Sequence, residues 1–125
     1  MTFATLTLPE LTASAYRNAT SNLRVQILEH LLRPVGVLAL VSLAAGAFGE
    51  FLRRGDYRRL VILPEDVARI SAAQLLELAR YVQQRSPETF QGIVQLLVDN
   101  RPSLVGIGGS RLLVALRARL AGGAV

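Results

Sequence analysis

The chain has 125 residues and a mass of 13.5 kDa, enough for one domain with a single modest core. About half of it is apolar (51%) and only 18% is charged, which excludes a mainly disordered chain. There is no cysteine and only one histidine, so disulfides, cysteine–zinc and iron–sulfur centres, thiol nucleophiles and two-histidine metal sites are all excluded.

The 14 basic residues are all arginine, against 9 acidic ones, for a net charge of +5. Such an excess attracts nucleic acid, acidic lipid or acidic protein surfaces. Arginine binds carboxylates and phosphates as a planar fork and is weakly hydrated, which suits interfaces. Replacement of lysine by arginine also follows from codon composition alone. The N-terminus has neither a charged leader nor a cleavable apolar run, so the expected location is the cytoplasm, with the inner face of a membrane as second choice.

Residues 1–8 read as an extended arm or short strand: 2–8, Thr-Phe-Ala-Thr-Leu-Thr-Leu, alternate loosely and contain three threonines. Leu8-Pro9-Glu10 then starts a helix over about 9–18, with proline at its first position. Ser21 is placed to cap a helix over 22–33, with Val25, Leu28, Leu31 and Leu32 on the buried side and Gln26, Glu29, His30 and Arg33 opposite. Pro34 stops it.

Residues 34–49 carry no charge, and Phe51 and Leu52 extend the apolar stretch beyond Glu50. The pattern predicts a helix over about 35–52 that is apolar all round, either the centre of a bundle or a single membrane span over 34–52. A span wants ~20 predominantly apolar residues, so the length favours the bundle. Ala39, Ser42, Gly46 and Gly49 fall on one stripe of such a helix, and Ala45 adds a second small pair with Gly49. A stripe of this kind admits another helix closely, so these five are the candidate packing or interface residues. On that reading Gly46→Leu is poorly tolerated.

Arg53, Arg54, Arg58 and Arg59 form the densest basic cluster, broken by Asp56. Leu60 to Leu63 is a short apolar run, a possible second strand before Pro64-Glu65-Asp66. Ser71-Ala-Ala-Gln74 is a capping box that starts a helix over 72–85 with the stripe Leu75, Leu78, Ala79 and Val82. Ser86-Pro87-Glu88 restarts a helix with the stripe Phe90, Ile93, Val94 and Leu97, and Asp99-Asn100-Arg101-Pro102 ends it. Ser110 is placed to cap a last helix over 111–120, with 121–125 as a frayed tail. Leu-Pro-Glu occurs twice, but without the fixed period of a repeat.

Chemistry finds little support. His30 lies on the polar side of its helix and reads as a surface residue, and Asp56, Glu77, Glu88 and Asp99 stand alone. Glu65 and Asp66 suit a helix start. The Gly106–Gly109 loop with Arg111 could bind an anion at a helix N-terminus, yet it lacks the phosphate-loop lysine. Arg111, Arg117 and Arg119 surround Leu112, Leu113, Leu116 and Leu120 on a basic amphipathic helix. Together with the 53–59 cluster they are the candidate polyanion contacts.

The expectation is therefore a single, mostly α-helical domain over 1–125. It is a bundle of five or six helices around the 35–52 helix, with at most a minor two-strand element. The favoured function is a non-catalytic assembly or interaction protein, self-associating or an accessory subunit, with no cofactor or metal. Its partner would be itself or another protein, with an acidic lipid surface next and nucleic acid less favoured. The alternatives are a single-span membrane protein and a basic nucleic-acid-binding module.

Overall fold

A computed structural model describes residues 6–49, 51, 62–100 and 109–123. Its elements form a helical bundle. The α-helices are α1 (Leu8–Arg17), α2 (Ser21–Leu32), α3 (Val37–Ser42), α4 (Ala72–Arg85), α5 (Thr89–Asp99) and α6 (Gly109–Gly123). There are also two 3-10 segments, Leu43–Gly46 and Pro64–Ala68. No strand occurs among the described residues; residues 1–5 of the first strand candidate and 60–61 of the second lie outside them.

The central element is α1. Thr7 accepts from the Glu10 backbone N–H while the Glu10 carboxylate takes the Thr7 N–H at 2.9 Å, a capping box that also fixes the entry of Pro9. Along its ten residues Leu8, Pro9, Leu11, Thr12, Ala13, Ala15 and Tyr16 are all buried. The small side chains let neighbours come close, and Thr12 satisfies its hydroxyl on the Leu8 carbonyl at 2.9 Å. The helix packs most extensively on α4, then on α6.

Tyr16 ties the centre together. Its ring is buried, and its hydroxyl lies 3.0 Å from the Val67 carbonyl and 2.8 Å from that of Ile70, sharing one proton between them. These carbonyls close the Pro64–Ala68 turn, where buried Asp66 accepts the Leu63 N–H at 2.7 Å. Arg24 of α2 donates from Nε to the Tyr16 carbonyl and from Nη2 to that of Arg17, both at 2.8 Å. Its guanidinium also lies 5.3 Å from the Tyr16 ring centroid. One arginine therefore satisfies two last-turn carbonyls of α1, a task that suits a fork-shaped cation.

The second half follows its local signals. α4 starts at the Ser71–Gln74 capping box and buries Leu75, Leu78, Ala79 and Val82. α5 buries Phe90, Ile93, Val94 and Leu97 and ends where the Asn100 side chain donates to the Leu96 carbonyl at 2.8 Å. Its helical start is Thr89, because Pro87 and Glu88 form a turn instead.

Other boundaries also differ from the sequence expectation. Thr20, not Ser21, caps α2, accepting the Leu23 N–H. α1 begins one residue earlier, at Leu8. α6 starts at Gly109 and runs through Gly123, beyond the expected 111–120.

The largest difference is the 35–52 helix, which does not form. α3 ends at Ser42, Leu43 is extended (ψ 143), and the chain reverses through Ala44 (φ +49) and Gly46 (φ +84). Six helical residues extend about 9 Å, against the ~30 Å of a bilayer core. No helix among the described residues is long and apolar enough to cross a membrane. The reversal still brings Phe48 and Phe51 into the core along with Leu40.

Burial pushes the Tyr16 phenol from 10.0 up to about 12, opposed by the smaller effect of the Arg24 charge. The folded state thus holds the proton more tightly than the unfolded state. Stability from this group is complete below pH 10.0 and is lost as pH rises through about 12. Tyr16→Phe, which strands two carbonyls, is expected to cost about 1–3 kcal/mol at neutral pH. It should also remove the Tyr16 part of the alkaline loss. Denaturant melts across the alkaline range check both, and an unchanged midpoint in the variant would refute the junction.

Candidate interaction surface

At the break in the apolar stretch the helical hydrogen bond is replaced by another. In a continuous helix the Ala44 N–H would bond to the Leu40 carbonyl. Instead it donates to Oε2 of Glu77, on α4. Ser42 adds local competition, its hydroxyl donating to the Leu38 carbonyl at 2.8 Å. Glu77, isolated in the sequence, is thus the anchor of the reversal. Leu40 is buried, while Leu38 is 83% exposed and Val41 50% exposed. Pro34, Gly36 and Ser42 are exposed as well, so this side of the segment is an uncharged ledge.

The small-residue stripe is not assembled. Ala39 and Ser42 lie on α3, Ala45 and Gly46 in the 3-10 segment, and Gly49 beyond it, so no single helix face carries them. Gly46 is needed for its left-handed backbone. A Cβ there would also meet the Val41 carbonyl oxygen at 3.3 Å. At Gly49 a Cβ would meet the Gly46 carbonyl oxygen at 3.3 Å and Val41 Cγ1 at 3.5 Å. Both glycines serve the chain's own reversal.

Among the polyanion candidates, Arg53, Arg54, Arg58 and Arg59 lie outside the described residues, as does the loop over 106–108. Arg111 lies in α6. Arg117 and Arg119 are exposed, and Arg119 donates from Nε to the Leu6 carbonyl at 2.8 Å, which fastens α6 to the entry of α1. Leu112, Leu113 and Leu116 are core residues, while Val114 is 69% exposed.

His30 is not a free surface residue. Its Nδ1 lies 3.0 Å from the Gln26 carbonyl, and its ring packs toward Gly92 of α5, where an added Cβ would sit 3.5 Å from Cδ2. The side chain fills the α2–α5 contact. No group of three His, Asp or Glu able to hold a metal occurs among the described residues.

Backbone conformation predicts a contrast at the reversal. Gly46→Ala or Gly46→Leu should lower stability by about 1–3 kcal/mol, because a left-handed non-glycine residue costs that much. Ala44→Gly should be neutral or raise it by up to about 1 kcal/mol. Thermal melts of the isolated chain read both signs, and a neutral Gly46→Leu would contradict the reversal.

No family model, curated protein or solved structure matches this chain.

Proposed function

We propose that this chain is a non-catalytic helical assembly protein that offers its α3 ledge to another protein surface, either a second copy or a larger subunit. The observation that carries the reading is the exposure of Leu38 and Val41 on a segment with no charge. Exposed aliphatic side chains on an uncharged segment are what an apolar recess on a partner would take up. The ledge is held in place from within: Leu40 is buried beneath it and Glu77 fixes the following turn. Two such side chains fall well short of the ~800 Å² that each partner buries in a standard interface, so the ledge acts as an anchor within a broader contact.

The test separates folding from association. Leu38→Glu with Val41→Ser should leave the melting temperature close to that of the parent, since surface changes usually stay within about 0.5 kcal/mol. The same variant should lose association, read as mass by light scattering over a concentration series. If the parent exceeds the 13.5 kDa of one chain and the double variant keeps the same mass profile, the ledge is not the anchor.

A further inference from the structure

A second surface, on α1, is charged where the ledge is apolar. Glu10, Ser14 and Arg17 occupy positions i, i+4 and i+7 of α1, one stripe along a helix otherwise largely buried. They border a cleft of about 300 Å³ between α1 and the first turns of α4. Its walls include the small residues Ala13, Ala72 and Ala73, with Leu6 and Leu76 as apolar flanks. Glu10 and Arg17 are about 10.5 Å apart along the axis at 1.5 Å per residue. The Glu10 carboxyl is held below its ordinary 4.5, chiefly by the Thr7 backbone N–H and with a smaller push from the Arg80 charge, so it is ionised at neutral pH. The Thr7 bond uses Oε1 only. The Arg17 side chain has no acidic partner among the described residues; it is the Arg17 backbone carbonyl that Arg24 occupies.

The pattern acid, small, base is its own complement when reversed. We propose that the α1 stripe is a two-fold interface between copies of this chain, with α1 of a second copy laid antiparallel along the cleft. Glu10 then meets Arg17 of the other copy at one end, Arg17 meets Glu10 at the other, and Ser14 lies at the crossing. A closed two-fold contact requires such self-complementarity, with residue i on j and j on i. The small cleft residues let the backbones approach, and the paired charges set the antiparallel direction. The inference rests on the reading that the chain works by assembly, and it names a surface distinct from the α3 ledge.

The experiment is a charge swap, measured as mass by sedimentation equilibrium over a concentration series. Glu10→Arg alone places two cations opposite each other at both ends, and Arg17→Glu alone places two anions. Each should weaken self-association at least tenfold. An equimolar mixture of the two variants should restore it. In the mixed pair the introduced arginine of one variant faces the introduced glutamate of the other at one end, and the unchanged Arg17 and Glu10 meet at the other. The mixture also controls for folding, since Glu10→Arg loses the capping contact whether or not its partner is present. Glu10→Gln, which keeps the cap and removes the charge, should weaken association by a smaller factor, and the parent's association should decline with salt.

Failure of the mixture to regain mass overturns the proposal, as does a parent that stays at the mass of one chain. If the parent associates, the swap variants associate equally well and only the α3 variant fails, the α1 interface is wrong and the ledge reading stands. If only the swap variants fail, the reverse holds.

Discussion

The fold turns on Tyr16. Its ring sits in the core, its hydroxyl closes the turn at Val67 and Ile70, and its own carbonyl receives the Arg24 side chain. Three stretches of chain, α1, α2 and the segment after Pro64, are thus fixed to one residue by both polar and apolar contacts. A phenol buried without acceptors would cost free energy, and carbonyls buried without donors would cost it as well. Here each supplies the other's need. No buried side-chain nitrogen or oxygen among the described residues lacks a partner. Arginine contributes to this satisfaction directly: Arg24 closes α1, and Arg119 holds the Leu6 carbonyl. Part of the basic excess is therefore structural, engaged on backbone carbonyls that would otherwise face only water.

Where the signals are local, the residues are readable. The Ser71–Gln74 capping box and the 3.6-residue stripes of α4 and α5 depend on neighbours within a turn or two, and the buried residues match those stripes. Thr7-Leu-Pro-Glu10 carries the same capping signature and is the signal that places the start of α1 at Leu8. The central role of α1 is less visible, because Thr12 and two alanines dilute its apolar pattern while small size lets it be buried on several sides.

The 35–52 stretch misleads for the opposite reason. Its composition is apolar nearly throughout, so periodicity cannot say where it bends. At the bend the Ala44 N–H goes to Glu77, 33 positions away, a partner that no local pattern reveals. A local warning exists in Ser42, Gly46 and the valines, all weaker helix formers than alanine or leucine. The exposed ledge and the α1 cleft are equally hidden, since each arises from how separate helices meet. Glu10 and Arg17 are in plain sight as a pair, but only the packing of α4 beside them defines the cleft.

The bond from Arg119 to Leu6 has a kinetic consequence. It joins residues 113 positions apart, and closing a flexible loop of that length costs about 4 kcal/mol in chain entropy before any contact compensates it. The α1–α2 corner, held by Arg24 over seven or eight positions, carries no such burden. On loop-closure entropy alone, the α1–α2 corner is expected to form before the α1–α6 contact. Truncating Leu112 or Leu116 should speed unfolding while leaving the folding rate nearly unchanged, and a slowed folding arm would reverse that order.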